Sequence, residues 1–380
     1  MTGLEQYRVI QYRPEYRAQV IENHKYLWGP NAELRATYVD WKYVRNPYVP
    51  APLIYLAMQG EQVVGLRSFV GANWEFGSPK QTLVLPLEAD VIIAPDHRKQ
   101  GLVSLIMKAA LKDLAEKGYN AILSLGTVPI VLNSDIRMGW RSIGSLRPLG
   151  CTVTQRESFP RLRAFVKKSK LAVSVYRKLR NQAKESPPDK FHFLDRISDR
   201  CDAKIGDYIS IGKAPRIRDM VRLKGRLQKD PRIRHVQGEE YYAWRFQNPR
   251  SNYRFLFWDD GDLQGYVVLQ ATAFRSKQPI GVIDWCASSD EAHAELLQAV
   301  HHLTCGETLF TWSATLTERE RRIFEIAGFQ TLPELSANNP WIAAVRPVRD
   351  EMLNEDWRFG DQRLLDISSW DFRMLDPRSF

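Results

Sequence analysis

One stretch of this chain occurs twice, so any fold proposed for it must hold two copies of the same unit. Trp41-Lys42-Tyr43 and Trp244-Arg245-Phe246 are both aromatic-basic-aromatic triplets, and each is followed within two residues by Asn-Pro. After each Asn-Pro come an apolar run, a turn and a second apolar run with an early glycine. The turns are Gln59-Gly60-Glu61 and Asp260-Gly261-Asp262, and the glycines are Gly65 and Gly265. That is a hairpin signal given twice in one setting. Self-similarity over a fixed series of elements is the pattern of a duplicated architecture.

The parallel continues downstream. Residues 87–94 and 280–287 read as strands, and each is followed by a run with apolar residues at helical spacing, 101–119 and 290–303. Strands follow at 121–128 and 308–315, and each copy closes on a short helix ending in Gly plus an aromatic, Gly139-Trp140 and Gly328-Phe329. Strands on both sides of a crossover helix require a mixed sheet covered by helices. The expected class is α/β (α+β). The expected organisation is a first domain at 1–155, a connector at 156–190, a second domain at 191–348 and a C-terminal arm at 349–380.

The segment with the clearest chemistry is Ala-Asp-Val-Ile-Ile-Ala-Pro-Asp-His-Arg-Lys-Gln-Gly, where a strand turns directly into a helix. The amides of Lys99, Gln100, Gly101, Leu102 and Val103 then lie at a helix N-terminus. There, unpaired N–H groups and the helix dipole can hold a diphosphate. Gly101 allows close backbone approach, and Arg98 and Lys99 add positive charge. Read from the motif alone, an ordinary strand-to-helix turn with a solvated basic cluster fits equally well.

Arg98-Lys99-Gln100-Gly101-Leu102-Val103 resembles the acyl-CoA signature of the GCN5-related acyltransferases (GNAT), Gln/Arg-x-x-Gly-x-Gly/Ala, with Val103 at the position usually held by a small residue. The resemblance extends over both repeats. It implies two tandem GNAT-like domains, each a mixed, mostly antiparallel sheet flanked by helices. It also implies that the backbone of Val91, Ile92 and Ile93 pairs with the pantetheine of acetyl-CoA or another acyl-CoA. The amides of 99–103 would hold the diphosphate, and Asn133 and Ser134 would touch the pantetheine arm. The second copy has Ser288-Ser289-Asp290-Glu291 at the matching place, with two acids, no glycine and no basic residue. Such residues cap a helix well but repel a diphosphate. One acyl-CoA site per chain is therefore expected.

Acyl transfer to an amine needs a group to take the amine's proton and a proton for the departing thiolate. Glu88 and Asp90 are two residues apart on one strand and are expected to share a face. Either is a candidate base, or both are ordinary strand-end residues paired with Arg or Lys. The family often has a tyrosine four residues before the final Gly-aromatic pair as the thiolate's acid; here that position is Asp135. His97 beside the loop reads as a solvent-facing residue. The Trp-basic-aromatic triplets read as structural, because the copy without a loop has one too.

The net charge of +10, from 54 Lys and Arg against 44 Asp and Glu, points to an acidic partner. Between Arg156 and Lys190 the chain has eleven Lys or Arg and three Asp or Glu, so much of the excess is in the connector. A basic amphipathic helix there either ties the repeats together or rests on an anionic membrane. The four cysteines are far apart, which argues against zinc sites and a disulfide framework. No signal peptide or membrane span is legible, so a cytoplasmic protein, or a peripheral one at the inner membrane face, is expected. The Ala-Trp-Arg-Phe-Gln-Asn-Pro entry and the Trp357 arm resemble a tandem-repeat GNAT subgroup that accompanies bacterial polysaccharide biosynthesis.

These readings converge on an acyl-CoA-dependent N-acyltransferase. Its acceptor would be a small-molecule or lipid-linked amine, such as an amino sugar of a cell-surface glycan precursor. Two alternatives stay open at the level of sequence: a tRNA-dependent aminoacyltransferase of the Fem type, and a non-catalytic binding protein on a decayed scaffold. Nucleic-acid binding as the main role has no motif behind it.

Overall fold

The computed structural model describes residues 4–127, 129–152, 208–227, 230–272, 279–304, 307–331, 341–354 and 357–376. The basic connector at 156–190 lies outside them. In the first half, β1 (Tyr7–Gln11) precedes three helices, α1 (Arg17–Asn23), α2 (Lys25–Trp28) and α3 (Ala32–Val39). The hairpin β2 (Leu53–Gln59) and β3 (Gln62–Val70) follows, then β4 (Asn73–Phe76), β5 (Gln81–Val84) and β6 (Leu87–Ile93). Next come α4 (Leu102–Glu116), β7 (Ala121–Thr127), α5 (Pro129–Arg137), β8 (Arg141–Ser145) and β9 (Pro148–Thr152).

The second half repeats the order. It runs β10 (Ile209–Gly212), α6 (Ile217–Leu227), β11 (Ile233–His235), α7 (Glu239–Arg245), β12 (Ser251–Asp259), β13 (Leu263–Thr272) and β14 (Ile280–Ala287). Then follow α8 (Asp290–Leu303), β15 (Thr308–Trp312), α9 (Glu318–Ile326), β16 (Gln330–Thr331) and β17 (Ile342–Pro347). The C-terminal arm adds a small hairpin, β18 (Arg358–Phe359) with β19 (Gln362–Arg363), and β20 (Trp370–Asp371).

The duplication is visible in the sheets. One has the order β1-β2-β3-β6-β7-β17-β8 and the other β10-β12-β13-β14-β15-β9-β16. Each is seven-stranded, mostly antiparallel, with one parallel step (β6 with β7, β14 with β15) spanned by a crossover helix. The last strand of each repeat has changed places: β9 sits between β15 and β16, and β17 between β7 and β8. The sheets therefore do not follow the boundaries read from the sequence. Residues 148–152 belong to the second sheet and residues 342–347 to the first. A third sheet, β20-β11-β4-β5, ties both halves to the arm.

The two halves meet at the repeated triplets. Trp41 and Trp244 stack with centroids 4.9 Å apart and planes 10° apart. The Trp41 Nε1–H donates to the Trp244 carbonyl at 2.7 Å, and the Trp244 Nε1–H to the Trp41 carbonyl at 2.8 Å. This is the reciprocal contact of a two-fold axis inside one chain. The early glycines also have matching reasons. A Cβ on Gly65 would lie 2.6 Å from Ile93 Cδ1, and one on Gly265 would lie 2.8 Å from Leu296 Cδ1.

Helix α4 presents Leu102, Ile106, Met107, Ala110, Leu111 and Leu114 to the first sheet, the apolar stripe expected of a crossover helix. Its burial fixes where the helix begins, and so where the loop 95–101 meets the end of β6. No helix among the described residues is long and apolar enough to cross a membrane.

Candidate functional site

Strands β6 and β7 run parallel but splay apart. Among the described residues their ladder holds one pair, Leu87 with Leu123, whereas β6 stays paired with β3 up to Ile93. The other edge of residues 91–93 is thus left facing a cleft of about 500 Å³. Its walls are Tyr26 and Leu27 of α2, residues 91–93, the loop and first turn of α4, and Ser134 of α5. Of the eleven residues expected at a cofactor site, nine line this cleft: 91–93, Arg98, Lys99, Gly101, Leu102, Val103 and Ser134. Gln100 and Asn133 do not line it; both are exposed. Tyr26, Leu27, His97 and Ser104 also line it, and no sequence pattern singled them out for that role.

The loop has the backbone a diphosphate needs. Gly101 has φ of +77° and Lys99 of +62°, two left-handed residues that turn the chain sharply into α4. The first bond of the helix runs from Leu105 N–H to Gly101 O, so the amides of Leu102, Val103 and Ser104 precede it. Gly101 is the N-cap and supplies no side chain to occupy those donors. With Arg98 and Lys99 alongside, the slot has a positive end at the helix and, leading away from it, a strand edge that no other strand pairs, where Arg98 Nε–H donates to Ile93 O at 3.1 Å. A phosphorylated, amide-bearing chain fits those features. His97 does not face the solvent alone; its Nδ1 lies 2.9 Å from the Tyr7 hydroxyl.

The two strand carboxylates do not share a face. Arg67 of β3 pairs with Val91 and Phe69 with Glu88, three steps on β6 against two on β3. A β-bulge there inserts one residue and reverses the alternation, which strict period-two reading cannot register. Asp90 is fully buried on the α1–α3 side. Lys42 Nζ donates to its Oδ1 at 3.1 Å; Tyr43 O–H donates to Oδ2 at 2.6 Å, and His24 Nε2 lies 3.3 Å from Oδ2. Burial alone would raise its pKa, but Lys42, His24 and Tyr43 outweigh that and hold the carboxyl below its usual range. A carboxylate so satisfied is a poor proton acceptor, which corrects the reading of Asp90 as a base. Asp284 repeats the arrangement at the matching place on β14, with Lys224 Nζ at 2.8 Å and the hydroxyls of Tyr242 and Tyr266 at 2.7 and 2.9 Å.

Glu88 lies on the other side of the strand, in contact with Arg67, whose Nη2 is also 3.7 Å from Asp135 Oδ1. All three side chains are buried. Burial and the neighbouring Glu88 charge push the Asp135 carboxyl up to about 7, against the lowering effect of Arg67. Arg67 reaches from β3 across β6 to a residue that follows β7; none of the three lines the cleft, although Ser134, next to Asp135, does. Sequence reading missed Arg67. Its signal was an arginine inside an otherwise apolar strand.

The matching place in the second repeat is filled. Ala287 pairs with Gly265 as Ile93 does with Gly65, so Trp285 stands where Val91 stands. Its Nε1–H donates to Glu320 of α9 at 3.0 Å, its ring lies 5.0 Å from that of Phe324, and the Arg373 guanidinium sits 4.4 Å above it. The C-terminal arm covers the strand edge as well, with Leu375 N–H donating to Ile283 O at 3.0 Å. At the start of α8, the Ser289 side chain takes the Ala292 amide, with Asp290 and Glu291 in the first turn.

Residues 8–133 match the family model "Acetyltransferase (GNAT) domain". That stretch holds the loop, Glu88 and all of the slot's lining except Ser134. Those residues are similar to a GNAT acetyltransferase domain. Solved structures with the same fold span nearly the whole chain. A probable N-acyltransferase from Enterococcus faecalis aligns with a TM-score of 0.56 at 13% identity, over 90% of this chain and 72% of its own. Yeast (Saccharomyces cerevisiae) N-myristoyltransferase with bound myristoyl-CoA aligns with a TM-score of 0.53 at 9% identity, over 91% and 79%. A GCN5-related N-acetyltransferase from Anabaena variabilis aligns with a TM-score of 0.52 at 11% identity, over 90% and 73%. At such identities the likeness is one of fold. No curated protein sequence matches the chain. An acyl-CoA is the donor that such a domain takes, and the features of the slot fit one.

Proposed function

We propose that the protein is an acyl-CoA-dependent N-acyltransferase with one donor site, the slot beside β6, and with acetyl-CoA as its donor. The observation that carries this reading is the edge of residues 91–93, which no strand pairs, leading to the α4 N-terminus at Gly101. An acyl-CoA bound there supplies an activated thioester. The chain's part is to hold and protonate: residues 91–93 align the donor's amide-bearing arm, the first turn of α4 with Arg98 and Lys99 anchors its phosphates, and Ser134 borders the arm. Glu88, at the closed end of the splay, takes the proton that the amine gives up. The acceptor is an amine, and the sequence resemblance to glycan-associated members supports an amino sugar of a glycan precursor.

Calorimetric titration of the full chain with acetyl-CoA and with CoA tests the donor site. Binding at one site per chain supports the reading, and no heat at millimolar ligand sinks it. A screen of amino sugars, free and nucleotide-linked, for thiol release from acetyl-CoA then tests the acceptor. Release with simple amines but none with sugars would replace the amino-sugar assignment.

A further inference from the structure

Register alignment of the two repeats separates what the fold needs from what the slot needs. Asp90 corresponds to Asp284, and both are buried under a lysine and a tyrosine. Arg67, Glu88 and Asp135 correspond to Val267, Val282 and Phe324, all fully buried and apolar. The last match counts back from the Gly-aromatic pairs at 139 and 328. The same architecture therefore closes without these three charged residues, and an apolar trio usually packs at least as stably as a buried ion cluster. The cluster is present in the repeat whose slot is open and replaced where the slot is filled.

Its composition is unbalanced. One guanidinium faces two carboxyls, both toward the same nitrogen, Nη2. A buried group of this kind is electrically neutral when one carboxyl is protonated. Contact favours Glu88 as the ionised partner, since Asp135 is the more distant of the two. Bonding capacity is left over as well: among the described residues, Arg67 Nε and Nη1 and Asp135 Oδ2 have no hydrogen-bond partner. The other charged group packed nearby is Arg346 of β17, whose Nε–H donates to Met138 O at 2.5 Å. Its charge is felt by Arg67, and it is itself paired with Asp350 at 2.7 Å.

We propose that Arg67 is a positioning residue that divides one proton between two carboxyls, keeping Glu88 ionised as the base and Asp135 protonated as the acid. This rests on the acyltransferase reading. As the amine nitrogen bonds to the acyl carbon, Glu88 takes the proton that nitrogen loses. As the carbon–sulfur bond breaks, Asp135 gives its proton to the sulfur that leaves with the bonding pair. The amide and the free thiol are then complete, with Glu88 protonated and Asp135 ionised. A proton passing from Glu88 to Asp135, both at Nη2, restores the starting state with no outside acid or base. In this way a carboxyl fills the place where the family often has a tyrosine.

The test does not depend on knowing the acceptor. Full-length protein labelled with ¹³C at Asp and Glu carboxyls is titrated by NMR, with Asp135→Asn and Glu88→Gln assigning the two signals. The Asp135 signal is expected to titrate near pH 7. In Arg67→Gln its midpoint should rise by about one to three pH units, because an opposite charge at this range has been removed. Arg67→Lys, which keeps a charge, should restore most of it. Thiol release from acetyl-CoA, with water or any accepted amine, should fall above about pH 7 in the native protein. That limb should be absent in Asp135→Asn and displaced upward in Arg67→Gln, while KM for acetyl-CoA is unchanged. If Arg67→Gln lowers the melting temperature but leaves the titration and the pH profile as they were, Arg67 is structural and the proposal falls. Failure to bind acetyl-CoA would instead remove the acyltransferase reading and leave the titration result standing.

Discussion

Two slots of common origin lie in this molecule, and they differ in what occupies the edge of the central strand. In the first, residues 91–93 face an open cleft with a glycine-capped helix at its end. In the second, Trp285 bridges β14 to α9, and the C-terminal arm supplies Leu375 and Arg373 to the same place. The splayed strands, the bulge and the buried aspartate are the same in both. The splay is thus a property of the fold, and a splayed edge must be covered by something, because unpaired backbone groups are costly when buried. One repeat leaves that edge facing an open cleft; the other covers it with its own chain. The difference between a site and a filled scaffold here rests on a few side chains and on a tail from outside the repeat.

The frame on which that comparison rests is the tryptophan pair. Trp41→Ala and Trp244→Ala should each cost about 3–5 kcal/mol in chemical denaturation. The double variant should cost less than the sum by about 0.5–3 kcal/mol, since each ring also bonds the other's backbone. Strict additivity would mean that the two halves do not brace each other.

The buried aspartates come next. Asp90→Asn and Asp284→Asn should each destabilise by about 3–5 kcal/mol, because each leaves a buried lysine without its partner. For Asp90 the sign with pH is set by its depressed folded-state pKa. Its stabilisation is fully present above the unfolded value near 4 and is lost as pH falls below that toward the folded value. The stability of Asp90→Asn should therefore change less between about pH 4 and pH 2 than that of the native chain. Equal slopes would show that Asp90 is not the ionised anchor described above.

A smaller effect, confined to the first slot, is expected from Gly101→Glu. A non-glycine residue at this left-handed position costs about 1–2 kcal/mol, and its carboxylate would face the phosphates. Acetyl-CoA affinity should fall by about 100-fold or more, in line with like charges brought together at an interface. Unchanged affinity would place the phosphates elsewhere. Val91→Trp copies the second repeat into the first and should weaken acetyl-CoA binding by about tenfold, with the fold intact by circular dichroism. Trp285→Val should not create a second site, because the arm and the acidic start of α8 remain. A stoichiometry of two in that variant would show that Trp285 alone closes the second slot.

How much of this was legible beforehand depends on the range over which each residue acts. The repeat, the hairpins, the crossover helices and the glycine loop are local patterns with a period or a spacing, and the structure has them where the sequence placed them. The loss of a diphosphate loop in the second copy was readable for the same reason, since Asp290 and Glu291 act through the helix they begin. The exchange of β9 and β17 was not readable, because a strand's pattern says which face is buried but not which strand lies beside it. The bulge that separates Glu88 from Asp90 depends on one extra residue between two ladders, and alternation carries no trace of it. Arg67 looked like an arginine in an apolar strand until α5, which follows β7, brought Asp135 to its other side. Nothing in the sequence marked Trp285, which the arm meets through Arg373. The sequence by itself determined the elements and their order, because hydrogen bonding and apolar periodicity act within a few residues. Only the tertiary structure decided which carboxylate is held under Lys42 and which lies beside Arg67, because burial and charge depend on neighbours far away along the chain.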